Sequence, residues 1–237
     1  MLRRKAYKRI KEVGKMKKIL LGTGNRRKVS FFEEILNRDD VHFLTLSDLN
    51  IHKLPDEDGM SPKENAMKKA AFYGRFADRV ISQDAGLYFI DLPLDDPRQP
   101  GLFVRRAPDG HEMTDEEMIA HFSSLVHSLG GKARACYLDG WAVSFHQKVT
   151  GFMQPLEEQM AFAYLMLETP HKNRHPGWPL DSLSADFSGR YWMDQGGRGV
   201  DTPDTLLKKK HVREEQRRFL IEALALDDKG REENGEP

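Results

Sequence analysis

Residues 20–36 read LLGTGNRRKVSFFEEIL, an apolar run that breaks at Gly22 and Gly24 and resumes as charge mixed with aromatics. Ile19, Leu20 and Leu21 form a run too short for a helix, and Gly22 ends it, which predicts a buried strand. Across residues 26–37 the apolar positions Val29, Phe32, Ile35 and Leu36 recur at helical spacing, which predicts an amphipathic helix. A strand, a turn of small residues and a helix form the opening unit of an α/β protein. Gly22, Thr23 and Gly24 let a ligand approach the backbone, and the helix that follows aims its free amides and positive dipole end at the gap. Lys28, one turn into that helix, is placed to lie over the same anion. Neither standard phosphate loop is present. A Walker loop needs glycine before its lysine, whereas Lys28 follows Arg27, and the dinucleotide fingerprint needs a third glycine where Arg27 stands. From this segment alone, a phosphate-binding turn and a plain strand-to-helix connection both remain open.

The rest of the chain alternates in the same way. VHFLTL at 41–46 predicts a second strand, followed by a polar loop that contains Gly59. In SPKENAMKKAAFYGRFA, Ser61 is a helix cap, Pro62 takes the first helical position and Glu64 completes a capping box. Residues 79–82 predict a third strand, ending at Gln83, Asp84, Ala85 and Gly86. Thr114 and Glu117 make a second capping box, opening a helix through Leu129. Residues 133–147 predict a long strand, 160–167 another, and 203–226 a last helix, with 168–200 irregular and no internal repeat. The pattern is that of an α/β or α+β fold around one sheet.

Its 237 residues and 27.2 kDa can bury a core without a disulfide or structural metal. Cys136 is the single cysteine, so no disulfide forms within the chain, and a cytoplasmic protein with a structural thiol is expected. No apolar run reaches the roughly 20 residues that cross a bilayer, and no signal-peptide centre is visible. Lys plus Arg equals Asp plus Glu at 37 each, but the first fifteen residues hold seven basic side chains against one Glu. Residues 1–15 are therefore expected to form a solvated, disordered basic extension, although such an arm suits an acidic surface or nucleic acid. Residues 16–226 make the folded domain. Residues 227–237, with almost no apolar content, make a disordered tail.

Asp84, at the end of a strand expected beside the first one, brings a carboxylate to the edge where the glycine turn lies. The loop before the capped helix adds Asp56, Glu57 and Asp58. Read singly, each acid is solvated surface. Together, acids facing a lysine and a helix end fit a magnesium ion bridging carboxylates to a polyphosphate, and so a nucleotide site.

TGNRRK, ENAMKKA, SQDAGL and PGLFVRR occur in that order and at the spacing that resembles the inosine triphosphate pyrophosphatase family, over residues 17 to about 145. The resemblance implies Mg²⁺-dependent hydrolysis of non-canonical purine nucleoside triphosphates (ITP, dITP, XTP) to monophosphate and pyrophosphate. It implies an elongated, twisted mixed sheet flanked by helices, with a cleft between two lobes, in a homodimer that meets neither membrane nor nucleic acid. Matched residue by residue, it implies phosphate binding at Thr23, Asn25 and Lys28, a second phosphate lysine at Lys69, and a substrate contact at Arg106. Glu57 and Asp84 match the metal carboxylates, with Asp84 as ligand or general base. Lys28, Glu57 and Asp84 would carry the chemistry.

The departures from the family pattern are specific. Gln83 and Ala85 stand where the family usually has an acid and a serine. The late aromatic motif is echoed by GWPLD, which makes Trp178 a stacking residue or simply a packed tryptophan. The family's Ser-His-Arg triplet becomes His211, Val212 and Arg213, with only Arg213 in register. His171 and His175 have metal-like spacing, but Pro170 and Pro176 bracket them and deny the helix that would align them. Two readings of another class or preference therefore remain beside the family activity: a nucleotide-binding sensor that does not hydrolyse, and a related pyrophosphatase with a different nucleotide preference.

Overall fold

A computed structural model describes residues 16–23, 27–107, 109–196 and 201–226. The basic extension, Asn25 and the acidic tail lie outside these residues. Among them run strands β1 (Lys17–Leu21), β2 (Val41–Leu44), β3 (Arg79–Phe89), β4 (Lys132–Phe145), β5 (Lys148–Met153), β6 (Tyr164–Leu167) and β7 (Ser184–Ala185). The helices are α1 (Arg27–Leu36), α2 (Pro62–Tyr73), α3 (Asp115–Ser128), α4 (Leu156–Gln159) and α5 (Pro203–Ala223). Seven strands join one mixed sheet in the order β2-β1-β3-β4-β6-β7, with β5 on β4. β1 runs parallel to β2 and β3, whereas β4 runs antiparallel to β5 and β6. This is the α/β class the residue pattern predicts, with the mixed sheet the family resemblance implies.

The chain divides into two compact units. The first holds the described residues up to Asp84, Gly140–Met153 and those from Arg213 onward, and the second holds Ala85–Asp139 and Gln154–Val212. In the first, β1 is buried at Ile19, Leu20 and Leu21, and the expected face of α1 meets it through Phe32, Ile35 and Leu36. Trp141 is fully buried there, with its ring 5.5 Å from Phe32 and 5.7 Å from Phe31. Truncating so large a buried ring costs about 3–5 kcal/mol. In the second unit α3 packs Met118, Phe122 and Val126 with Leu87, Phe89, Tyr164 and Met166. Its Thr114–Glu117 capping box is complete.

Helix α2 is held against β4 because residue 140 is glycine. A Cβ at Gly140 would lie 2.1 Å from Lys63 N and 2.2 Å from Pro62 C, so no other residue allows this approach of strand to helix. At its N-terminus, Ser61 Oγ accepts from Glu64 N at 3.2 Å. The Glu64 carboxylate, however, accepts from Met60 N at 2.8 Å, one residue earlier than a capping box requires, so half of that expected box is replaced. Behind it, buried Asn65 accepts from Gly59 N through Oδ1 at 2.7 Å and fixes the loop that precedes the helix.

Four expectations are corrected. β3 does not stop at Ser82 but runs to Phe89, because Leu87 exchanges both backbone hydrogen bonds with Gly101 at 2.9 Å. Asp84 therefore sits within a strand rather than at its end. The strand expected over 133–147 closes at Phe145 and returns as β5, through His146 and Gln147 at φ 48° and 64°. Those left-handed conformations form a two-residue hairpin turn, which no glycine signals. Residues 160–167 begin as a 3-10 turn, Met160–Phe162, so only Tyr164–Leu167 is strand. α5 ends at Ala223, where Ala225 at φ 49° and the Leu226 N–H bonded to Ile221 O at 2.9 Å cap it. Over 168–196, the described part of the stretch expected to be irregular, only two short 3-10 turns and β7 interrupt the irregular backbone. No described helix is long and apolar enough to cross a membrane.

Candidate active site

β1 leaves the sheet at Gly22, whose N–H donates to Ile81 O at 2.8 Å. Thr23 follows, half-buried, with its N–H donating to Leu21 O at 2.8 Å. Lys28 is the second residue of α1 and is half-buried.

Glu57, Lys69 and Asp84 come together. Lys69 Nζ lies 3.0 Å from Glu57 Oε2 and 2.9 Å from Asp84 Oδ1. Three elements meet at this point: the loop before α2, the middle of α2, and β3. The lysine and Asp84 are well covered, at 13% and 15% side-chain exposure, whereas Glu57 is open at 41%. Two carboxylates share a single ammonium, so the trio is negative by one charge and its oxygens converge on a cation. Partial burial strengthens such interactions relative to open water. The other two acids of the loop lie apart from it. Asp56 is exposed, and Asp58 pairs with Lys68 at 2.6 Å, whose hydrogen bond holds that carboxyl below its usual range. Adjacent lysines on α2 thus serve different acids.

The donor set suits a divalent cation. Two carboxylates from separate elements, one partly open to incoming ligands, leave positions for water and phosphate oxygens, as magnesium coordination requires. Gln83, buried at 8% exposure, adds no carboxylate.

The second unit holds a different arrangement. Trp178, 41% exposed, lines a cavity of about 360 Å³ with Leu102, Arg105, Tyr137, Tyr164 and Trp192. The sequence reading singled out Arg106, but it is Arg105 that lines the cavity. Arg106 instead stacks its guanidinium over Phe103 at 5.0 Å, while its backbone bridges to Glu112. Arg105 Nη1 donates to Asp115 Oδ1 at 2.9 Å, and Asp115 Oδ2 accepts from Gly177 N at 2.8 Å. The Gly177 amide first, and then Arg105, hold the Asp115 carboxyl below its ordinary value. Arg105 and Asp115 thereby fix the loop carrying Trp178. The residues are 62 positions apart at the second contact, beyond the reach of any local motif, although the capped start of α3 marks Asp115.

Arg213, in the first unit, lies over the Phe31 ring at 4.7 Å and donates through Nη1 to Gln216 Oε1 at 2.9 Å. Val212 is buried and His211 exposed. His171 and His175 do not share a ligand position, since each pairs with its own acid, Asp194 at 3.0 Å and Asp181 at 2.8 Å. Cys136 is buried, and its thiol donates to Gln159 O at 3.2 Å.

A glycine turn at the end of a parallel strand, beside a lysine flanked by two carboxylates, defines an α/β protein equipped to handle phosphate groups. The chain belongs to the Ham1 family, whose model matches residues 19–162. It is 29% identical over 192 residues to a dITP/XTP pyrophosphatase of Thermus thermophilus, covering 70% of this chain and 89% of that one. Over 101 residues it is 35% identical to a dITP/XTP pyrophosphatase of Protochlamydia amoebophila, covering 42% and 48%. The fold is shared with the Ham1 protein of Staphylococcus aureus, at TM-score 0.59 and 18% identity over 87% of this chain and 99% of that one. A HAM1 protein from Coxiella burnetii gives TM-score 0.59 at 17% identity, over 88% and 100%.

Proposed function

We propose that this protein hydrolyses non-canonical purine nucleoside triphosphates such as dITP, ITP and XTP to monophosphate and pyrophosphate, with Mg²⁺ as cofactor. The observation that carries the reading is the Lys69 ammonium placed between Glu57 and Asp84, at 3.0 and 2.9 Å. Those positions lie in three separate segments of the sequence, and a polyphosphate site needs them in one place. Relatives that carry the name dITP/XTP pyrophosphatase supply the substrate class. Glu57 and Asp84 would hold the magnesium, which when bound would neutralise part of the substrate's charge.

Asp84, the better covered carboxylate, accepts a proton from the attacking water as it closes on the α-phosphorus. The bond between the α-phosphorus and the bridging oxygen breaks, and pyrophosphate leaves with the bond's electron pair. Lys69 turns from its two acids toward the phosphates, and Lys28 with the Thr23 turn receives the same charge. Their value is greatest where negative charge grows on the leaving group. Arg213 is a further substrate contact in this reading, as is Asn25. A cytoplasmic homodimer completes the proposal, and the mass in solution by light scattering tests its oligomeric part.

Product analysis with Mg²⁺ tests the activity across ITP, dITP, XTP and the ordinary nucleotides, separating pyrophosphate from orthophosphate. Pyrophosphate and monophosphate from the purine analogues are expected. Hydrolysis confined to ordinary or pyrimidine nucleotides would replace the substrate assignment. The buried Gln83 in place of an acid favours one other reading, a protein that binds nucleotides without cleaving them. Binding without product from any nucleotide would establish that reading and end the first.

A further inference from the structure

Helix α2 carries a third residue on the face that holds Asn65 and Lys69. Tyr73 stands one further turn along, at the spacing that returns to the same side of a helix. Only 2% of it is exposed. Its ring sits against the start of the glycine turn: a Cβ at Gly22 would lie 2.7 Å from Tyr73 Cδ2 and 3.3 Å from Cε2. On the other side the same Cβ would meet Ser82 Oγ at 2.3 Å, and Ser82 precedes Asp84 by two residues on β3. Gly22 is therefore glycine because two hydroxyl side chains close in on it.

Neither hydroxyl is engaged. Ser82 Oγ is buried with no hydrogen-bond partner among the described residues. The Tyr73 hydroxyl has none among them either. The Glu57 carboxylate lies near the Tyr73 phenol, and a phenol O–H is a donor at neutral pH. A phenol with no partner among the described residues, its ring against Gly22 and Glu57 nearby, is placed to meet an anionic oxygen supplied by a ligand.

We propose that Tyr73 is a further substrate-contacting residue, whose hydroxyl donates a hydrogen bond to a phosphate oxygen of the nucleotide seated at the Gly22–Thr23 turn. The inference rests on the nucleotide reading above. It specifies a contact to the phosphates rather than to the base, so its loss should be felt equally by every triphosphate, including one with no nucleoside. The contact is charge-assisted, a class that contributes more than a neutral hydrogen bond.

Tyr73→Phe keeps the ring against Gly22 and removes only the donor. Three readouts are compared with the wild type: melting temperature, affinity for inorganic tripolyphosphate with Mg²⁺ by calorimetry, and kcat/KM for dITP and XTP. The expected result is an unchanged melting temperature with about tenfold loss in tripolyphosphate affinity and in kcat/KM for both nucleotides alike. Wild-type affinity and kcat/KM in the variant would overturn the contact while leaving the pyrophosphatase reading intact. A loss confined to one base would also overturn it, because a phosphate contact does not distinguish bases. A wild-type protein that neither binds tripolyphosphate nor cleaves any nucleotide would overturn the contact and the functional reading together.

Discussion

The Glu57–Lys69–Asp84 trio of the first unit and the Arg105–Asp115–Gly177 chain of the second are built from similar parts to different ends. In the second, a single guanidinium meets a single carboxylate, and the carboxylate's other oxygen takes a backbone N–H. Charge and hydrogen-bonding capacity are both satisfied, which is how a protein fixes a loop. In the first, one ammonium serves two carboxylates, leaving a surplus of negative charge beside an unengaged phenol. A polar cluster that closes on itself is scaffold, and one that leaves charge over is prepared for something it does not contain.

The surplus charge of the trio rests most heavily on Asp84. Asp84→Asn keeps the shape and the hydrogen bond from Lys69 but removes a charge, and a loss of about 10³-fold in kcat is expected with little change in melting temperature. Near-normal turnover in the folded variant would show that the surplus charge is not catalytic. Lys69→Met is expected to cost about 10²-fold in kcat/KM. It should also lower the melting temperature in chelator and restore much of it on adding Mg²⁺, because the two carboxylates then face each other without a cation. A variant whose stability ignores Mg²⁺ would count against Glu57 and Asp84 as a shared cation site.

Smaller effects are expected in the second unit. Arg105→Met loosens the Trp178 loop, so KM should rise several-fold at nearly constant kcat, with little loss of stability because the pair is open to solvent. A fall in kcat matching that of Asp84→Asn would erase the distinction between scaffold and site. The smallest effect is on acid stability. Asp115 has a folded-state value below its ordinary 3.8, so its contribution is present above the ordinary value and lost as pH falls through the folded one. Melting curves taken from about pH 5 to about pH 2 should therefore fall more steeply in the wild type than in Asp115→Asn. Parallel curves would mean that the Gly177 and Arg105 contacts do not persist in solution.

What could be read from the sequence was local or modular. The α1 face of Phe32, Ile35 and Leu36, the capped starts of α2 and α3, and the motifs carrying Glu57, Lys69 and Asp84 all announce themselves within a few residues. The hairpin between β4 and β5 did not, because His146 and Gln147 adopt left-handed backbone that sequence rules reserve for glycine or asparagine. The extension of β3 past Asp84 depends on Gly101, which pairs with Leu87 from a distant loop. Arg105 rather than Arg106 lines the Trp178 cavity for a comparable reason: neighbouring residues of an irregular segment have no periodicity to say which one faces inward. Tyr73 reads as an ordinary core aromatic until Gly22 is seen against its ring.

Helix α2 ties Asn65 to the loop of Glu57, Lys69 to both acids, and Tyr73 to the glycine turn, each one turn after the last. Its phase is therefore constrained far more tightly than its composition. One residue inserted ahead of Asn65 would swing all three by about 100°, and Gly140 bars the helix from sliding back to compensate. Homologous chains that descend from this arrangement can exchange the residues of its outer face freely, but gaps in their alignments should be absent between Ser61 and Tyr73 and collect beyond Gly74.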